Sequence, residues 1–121
     1  MALAFLLDEN QRGLLWRYLR LHNAKKLLPL DAVSVGDAPD LPLGSDDPTL
    51  LLWAEREKRI LISADRATLA SHLDAHLKNG HTSPGIFLVR AVPLTEIVEF
   101  LVLAAYASEP AEWHNRITFI P

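Results

Sequence analysis

Asp8, Asp47 and Asp65 are the residues of this chain whose type and placement could do chemistry. Asp8 follows a short apolar run, Leu3 to Leu7; Asp65 follows another, Arg59 to Ser63; Asp47 opens a helix after a long loop. Carboxylate oxygens suit hard cations. Mg²⁺ and Mn²⁺ take two or three of them and keep several waters, with no need of histidine or cysteine. A cation held this way lowers the pKa of a water and neutralises charge on a phosphodiester in its transition state, so the chemistry in view is metal-dependent hydrolysis of a nucleic acid. The neighbours extend the set: Glu9 and Asn10 continue the polar cluster after Asp8, Asp46 doubles the acid before Pro48, Ser63 and Thr68 flank and orient Asp65, and Arg66 is placed to meet a phosphate.

Each of these residues also has a purely structural reading. Asp8 caps the helix that follows, with Gln11 reaching back as in a capping box. Asp47, beside Pro48, accepts bonds from the free N–H groups of a first helical turn, and proline lacks the N–H that would be unpaired there. Asp46 is solvated, Thr68 caps the next helix, and Arg66 lies in water. Among the five histidines, His72 and His76 are spaced i, i+4. Without a third ligand or an intervening glutamate, that pair reads as exposed polar helix positions rather than zinc ligands. Trp16, Trp53 and Trp113 read as packing residues.

Positioning the acids requires strands that alternate with helices. Leu3 to Leu7 reads as a buried strand that ends at Asp8. Leu14, Leu15, Tyr18 and Leu19 recur at helical spacing, which predicts an amphipathic helix over about residues 11–22. A second strand is expected over Ala32 to Val35, then a Gly-, Pro- and Asp-rich loop from Gly36 to Asp46. Leu50 to Lys58 carries a helix, and Arg59 to Ser63 a third strand. Leu69, Leu73 and Leu77 mark a helix over about 67–78 that Asn79-Gly80 closes. Ile86 to Val89, Leu94 to Ala107 and Arg116 to Ile120 complete the series as strand, helix and strand. The alternation implies one domain with a three-layer α/β/α fold and a mainly parallel sheet, whose ligands bind at the carboxyl ends of the strands. Asp8 and Asp65 both fall at that end.

Composition narrows the class. With 121 residues, half of them apolar, the chain can bury a core without disulfides or a structural metal. It has no cysteine, so thiolate sites and cysteine nucleophiles are excluded. The net charge of −3 argues against the basic face of a typical DNA-binding module, so local groups or a metal must attract any nucleic acid. Ile97 to Ala107, the most apolar stretch, is interrupted by Glu99 and too short to span a bilayer. Met1 to Leu7 has no basic start and runs into Asp8-Glu9, unlike a secretory signal. A cytoplasmic protein with no membrane partner is the expectation. A phospho-acceptor receiver domain has a similar length and strand order, but needs a lysine at the end of its last core strand. Lys25, Lys26, Lys58 and Lys78 are elsewhere, and the fourth strand ends at Arg90.

Taken together, the segments Phe5-Leu6-Leu7-Asp8-Glu9-Asn10, Asp46-Asp47-Pro48 with Leu51 and Trp53-Ala54, Arg59 to Asp65, Pro84 to Arg90 and Glu112-Trp113 are informative. Nearly end to end, the chain resembles the small PIN-like domains related to the PIN ribonucleases of toxin–antitoxin systems. The resemblance implies a PIN-like fold and an endoribonuclease in which Asp8, Asp47 and Asp65 hold Mg²⁺ or Mn²⁺. It also implies RNA as substrate, an antitoxin protein as partner, and homodimer formation. One position departs from the pattern: many relatives carry a further acid two residues after the match to Asp65, where this chain has Ala67. Losing that carboxylate weakens the hold on a divalent ion. The alternative is a catalytically degenerate PIN-like protein that acts as a protein-binding module.

Overall fold

Side chains of successive strand residues point to opposite faces, and here that alternation divides the core in two. The computed structural model describes residues 3–121; Met1 and Ala2, which begin the apolar N-terminal run, lie outside them. Five strands, β1 (Ala4–Leu7), β2 (Asp31–Ser34), β3 (Ile60–Ser63), β4 (Ile86–Val89) and β5 (Ile117–Ile120), alternate with four helices. These are α1 (Leu14–Ala24), α2 (Asp47–Glu57), α3 (Leu69–Lys78) and α4 (Leu94–Ala107). Phe5, Leu7, Ile60, Ile62 and Phe87 face α1 and α4, while Leu6, Leu61, Ile86 and Leu88 face α2 and α3. The result is a three-layer α/β/α fold. Its three central strands, β1, β3 and β4, are short apolar runs buried on both sides, as expected for a parallel sheet, while the edge strands β2 and β5 are partly exposed.

The strand order is β2-β1-β3-β4-β5, with every neighbouring pair parallel. From β1 the chain crosses to β2 on one side, then returns to β3 on the other. The crevice at the carboxyl ends of β1 and β3 is therefore the point where the winding reverses, the usual ligand site of such sheets. Asp8 and Asp65 follow these two strands. The amide of Asp8 extends the ladder by donating to the Ile62 carbonyl at 2.8 Å.

Local structure departs from the sequence expectation at three helix starts. A 3₁₀ turn over Glu9–Gln11 comes first, and α1 begins only after Gly13. Asp8 caps that turn through Glu9 N–H at 2.7 Å, whereas Gln11 bonds Asn10 at 3.0 Å, so no capping box forms. The cap of α2 is Asp46, whose Oδ1 accepts from Thr49 N–H at 3.0 Å. An N-cap oxygen reaches the amide three residues on, so Asp46 takes the role and the Asp47 carboxylate is turned to α3 instead. Thr68 stands at the N-cap position of α3, but its side chain makes no capping bond.

The loop from Gly36 to Asp46 is docked to the body. Leu41 is fully buried among α2 and α3 side chains. Asp40 accepts from Trp53 Nε1 at 3.1 Å and pairs with Arg56. Gly44 N–H donates to Glu9 Oε1 at 2.6 Å, tying the loop to the residues beside Asp8. Among the described residues, no helix is long and apolar enough to cross a membrane.

Candidate functional site

Asp8 is 8% exposed at the end of β1, and its two oxygens have different partners. One accepts from Glu9 N–H; the other accepts from the Ser63 hydroxyl at 2.8 Å. Ser63, fully buried at the end of β3, also accepts from Asn10 Nδ2 at 3.2 Å and from Asp65 N–H at 3.1 Å. One donor and two acceptor sites are all that a hydroxyl has. Ser63 is thus saturated, and it locks the ends of the two central strands together.

Asp47 and Asp65 meet at Thr68. The Thr68 hydroxyl oxygen is 2.8 Å from Asp47 Oδ2 and 2.7 Å from Asp65 Oδ2. Asp65 Oδ1 accepts from the Ala67 and Thr68 amides, which fixes its orientation. His72, one turn into α3, places Nδ1 2.8 Å from Asp47 Oδ2. A hydroxyl has a single proton, so with both carboxylates ionised one of the two short oxygen–oxygen contacts at Thr68 has none. The other group able to donate to Asp47 Oδ2 is His72 Nδ1.

Burial raises the Asp8 pKa above its ordinary value, opposed by the bonds from Ser63 and Glu9 and assisted by the charges of Asp47 and Asp65. The Thr68 hydroxyl, followed by the Ala67 amide, lowers that of Asp65. The Thr49 side chain and amide lower that of Asp46. The edge therefore combines one buried acid with two more exposed ones.

Cationic and aromatic groups border the acids. Arg66 and Arg90 both lie against the Phe119 ring, 5.2 and 5.5 Å from its centre, and Phe119 is 45% exposed near the end of β5. On the other flank, Arg12, Trp16, Arg17 and Arg20 line a groove of about 430 Å³ along α1. Arg12 is anchored by the Val35 carbonyl at 2.6 Å and by Asp37 at 3.1 Å.

The structure thus brings Asp47, Asp65 and Thr68 into direct contact and joins Asp8, Asn10, Ser63 and Asp65 through one hydroxyl. Glu9 is turned to the Gly36–Asp46 loop, Asp46 to its capping bond, and Arg66 to Phe119. The oxygens of Asp8, Asp47 and Asp65 do not all lie within 4.8 Å of one another. Among the described residues the one group of three such ligands with that spacing is Glu55, His76 and His81. The histidines overturn a sequence expectation: His72 and His76 are not a pair of exposed helix positions, since His72 contacts Asp47 and His76 is only 7% exposed. Their spacing on α3 puts them one turn apart, but each finds its partner on α2, which a helical repeat does not reveal. Trp53 and Trp113 serve packing, with Nε1 bonded to Asp40 and Ser108. No family model, curated protein or solved structure matches the chain.

Proposed function

We propose that this protein is a PIN-like, Mg²⁺- or Mn²⁺-dependent endoribonuclease that works at the carboxyl edge of its sheet. The observation that carries the reading is the meeting of Asp47 and Asp65 on one hydroxyl at the β1–β3 reversal point, with buried Asp8 one hydrogen-bonded residue away. The donor set fits a hard cation, which is commonly held by one or two carboxylates and retained waters. Asp47 and Asp65 would hold the ion, and Asp8 adds negative charge behind them. When bound, such an ion activates a water and neutralises charge on the phosphodiester.

The chain's own residues then have defined tasks. Ser63 and Thr68 orient the carboxylates. Arg66 and Arg90 supply positive charge beside Phe119, whose exposed ring offers a face for a nucleobase. The arginines along α1 give the strand a basic path despite the net charge of −3. An RNA substrate, an antitoxin partner and a cytoplasmic location belong to this same reading. The test is cleavage of a mixed-sequence RNA by the purified chain with Mn²⁺. Cleavage is expected, and Asp65→Asn abolishes it while circular dichroism stays unchanged. Equal cleavage in a chelator, or full activity in the variant, overturns the mechanism.

A second reading, a non-catalytic PIN-like module that binds a protein, is supported by an apolar stripe. Leu14, Tyr18 and Leu21 are exposed at 4 and 3 spacing on α1, and α4, packed on α1, adds exposed Leu103 and Tyr106. Ala67, in place of an acid, supports it too. Calorimetry with Mn²⁺ separates the two, because a chain that takes up no ion at millimolar concentration does not hydrolyse RNA by the first scheme.

A further inference from the structure

At the opposite ends of α2 and α3, a different set of ligands converges. Helix α3 ends in a Schellman motif: Gly80 adopts φ +85°, its N–H bonds the Leu77 carbonyl at 3.1 Å, and His81 N–H bonds the His76 carbonyl at 3.2 Å. That turn folds the residue after the glycine back over the helix, onto the position where a hydrophobic contact commonly sits. Here both positions are histidines. The His76 and His81 rings stack with centres 4.7 Å apart and planes 21° apart. Opposite them, in the last turns of α2, stands Glu55. Its Oε1 is 3.2 Å from His76 Nε2 and 3.1 Å from His81 Nδ1.

The other carboxylate oxygen is held from behind. Thr82 N–H donates to Glu55 Oε2 at 3.2 Å, so Oε1 is aimed at the imidazoles. Metal-binding carboxylates are typically oriented by such outer partners.

We propose that Glu55, His76 and His81 form a site for a borderline transition metal of the Zn²⁺ class, distinct from the aspartate edge. Two imidazoles and one carboxylate are a common donor set for such ions. Bonds of about 2.0–2.1 Å arranged tetrahedrally set ligand atoms about 3.3 Å apart, close to the two separations found here. His76 Nε2 is now 2.9 Å from the Thr82 carbonyl, to which its N–H donates a hydrogen bond. To ligate a metal, Nε2 would have to give up the Thr82 carbonyl and take the tautomer with its proton on Nδ1. His76 and His81 also line a groove of about 210 Å³ between α2 and α3, with Leu52, Ala75 and Asn79, that reaches His72. The cation ties the C-terminal ends of both helices to the segment that enters β4.

Calorimetry and a Zn²⁺-competition assay on the untagged full chain test the site, with Co²⁺ as the spectroscopic probe. One Zn²⁺ per chain is expected, and Co²⁺ should give the intense visible bands of a four-coordinate site. Loss of an outer-shell partner typically costs roughly 10- to 100-fold in affinity, so loss of a direct ligand in Glu55→Gln or His81→Ala should exceed about 100-fold. His114→Ala, at an exposed histidine outside the cluster, should bind as the parent does. Circular dichroism checks that each variant is folded, and Glu55→Gln, which keeps the shape of the side chain, decides if His81→Ala is not. Absence of Zn²⁺ binding at micromolar concentration, or undiminished binding in a folded Glu55→Gln chain, overturns the proposal.

Discussion

The two ends of the α2–α3 pair present opposite chemistry. At the N-terminal ends, beside the carboxyl edge of the sheet, sit Asp46, Asp47 and Asp65; at the C-terminal ends sit His76 and His81 around one glutamate. Helix N-termini carry partial positive charge and C-termini partial negative charge, so the backbone favours the aspartates where they lie but opposes Glu55 in the last turn of α2. The difference sets carboxylates at one end of a helical layer and two imidazoles with one carboxylate at the other. A single pair of helices needs no third element to separate them. His72 and His76, one turn apart on α3, mark the border.

A crossed pair of variants tests that separation most severely. Asp65→Asn should remove Mn²⁺-dependent cleavage by more than about 100-fold and leave Zn²⁺ affinity intact, while His81→Ala should do the reverse. Titration of both variants with both ions measures it, and a variant that loses both would merge the two ends into one site. Next in size is Ser63→Ala, which strips Asp8, Asn10 and the Asp65 amide of a shared partner. Leaving buried polar groups unpaired costs about 1–3 kcal/mol, measurable by urea unfolding, and cleavage should fall with it because Asp8 and Asp65 lose their common anchor.

Gly80→Ala acts on the other end alone. Nothing lies within 4 Å of the added methyl, so its effect is the cost of a left-handed backbone, about 1–2 kcal/mol. Zn²⁺ affinity should fall as His81 moves off His76, with RNA cleavage retained. The smallest effect is one of acidity. The depressed pKa of Asp65 contributes stability that is present above the ordinary carboxylate range and lost as pH falls through its folded value. Asp8 has the opposite sign: its raised pKa is a cost that is complete above its folded value and vanishes as pH falls toward the ordinary one. Unfolding of the parent and Thr68→Val across the acid range should show their stability difference narrowing as pH falls.

Much of the fold was legible because its signals are local. Short runs of apolar residues gave all five strands within a residue, and Asn79-Gly80 marked the end of α3 correctly. The aspartates were legible as strand-end acids, and Ser63 and Thr68 as groups that orient Asp65. Less legible was what depends on an exact helical phase. Whether Asp46 or Asp47 is the cap turns on one residue of register, and it decides which carboxylate meets Thr68 and His72. The Glu55–His76–His81 group was hidden because helical spacing pairs His76 with His72. The signal that could have found it was Asn79-Gly80 itself, since a glycine closing a helix brings the residue after it back beside the one four before it. Phe119 and Arg90 were silent because their neighbours come from across the sheet.

The buried leucine in the Gly36–Asp46 loop has a consequence for proteolysis. Composition makes this segment the most susceptible in the chain, yet a protease must lift several residues out to cut it, and lifting these exposes Leu41. Exposing a fully buried leucine costs about 1.5–3 kcal/mol, before the loop's bonds with Trp53, Arg56 and Glu9 are counted. Cutting should therefore track sub-global opening rather than loop motion, and the folded chain should outlast its own glycines and prolines in a digest.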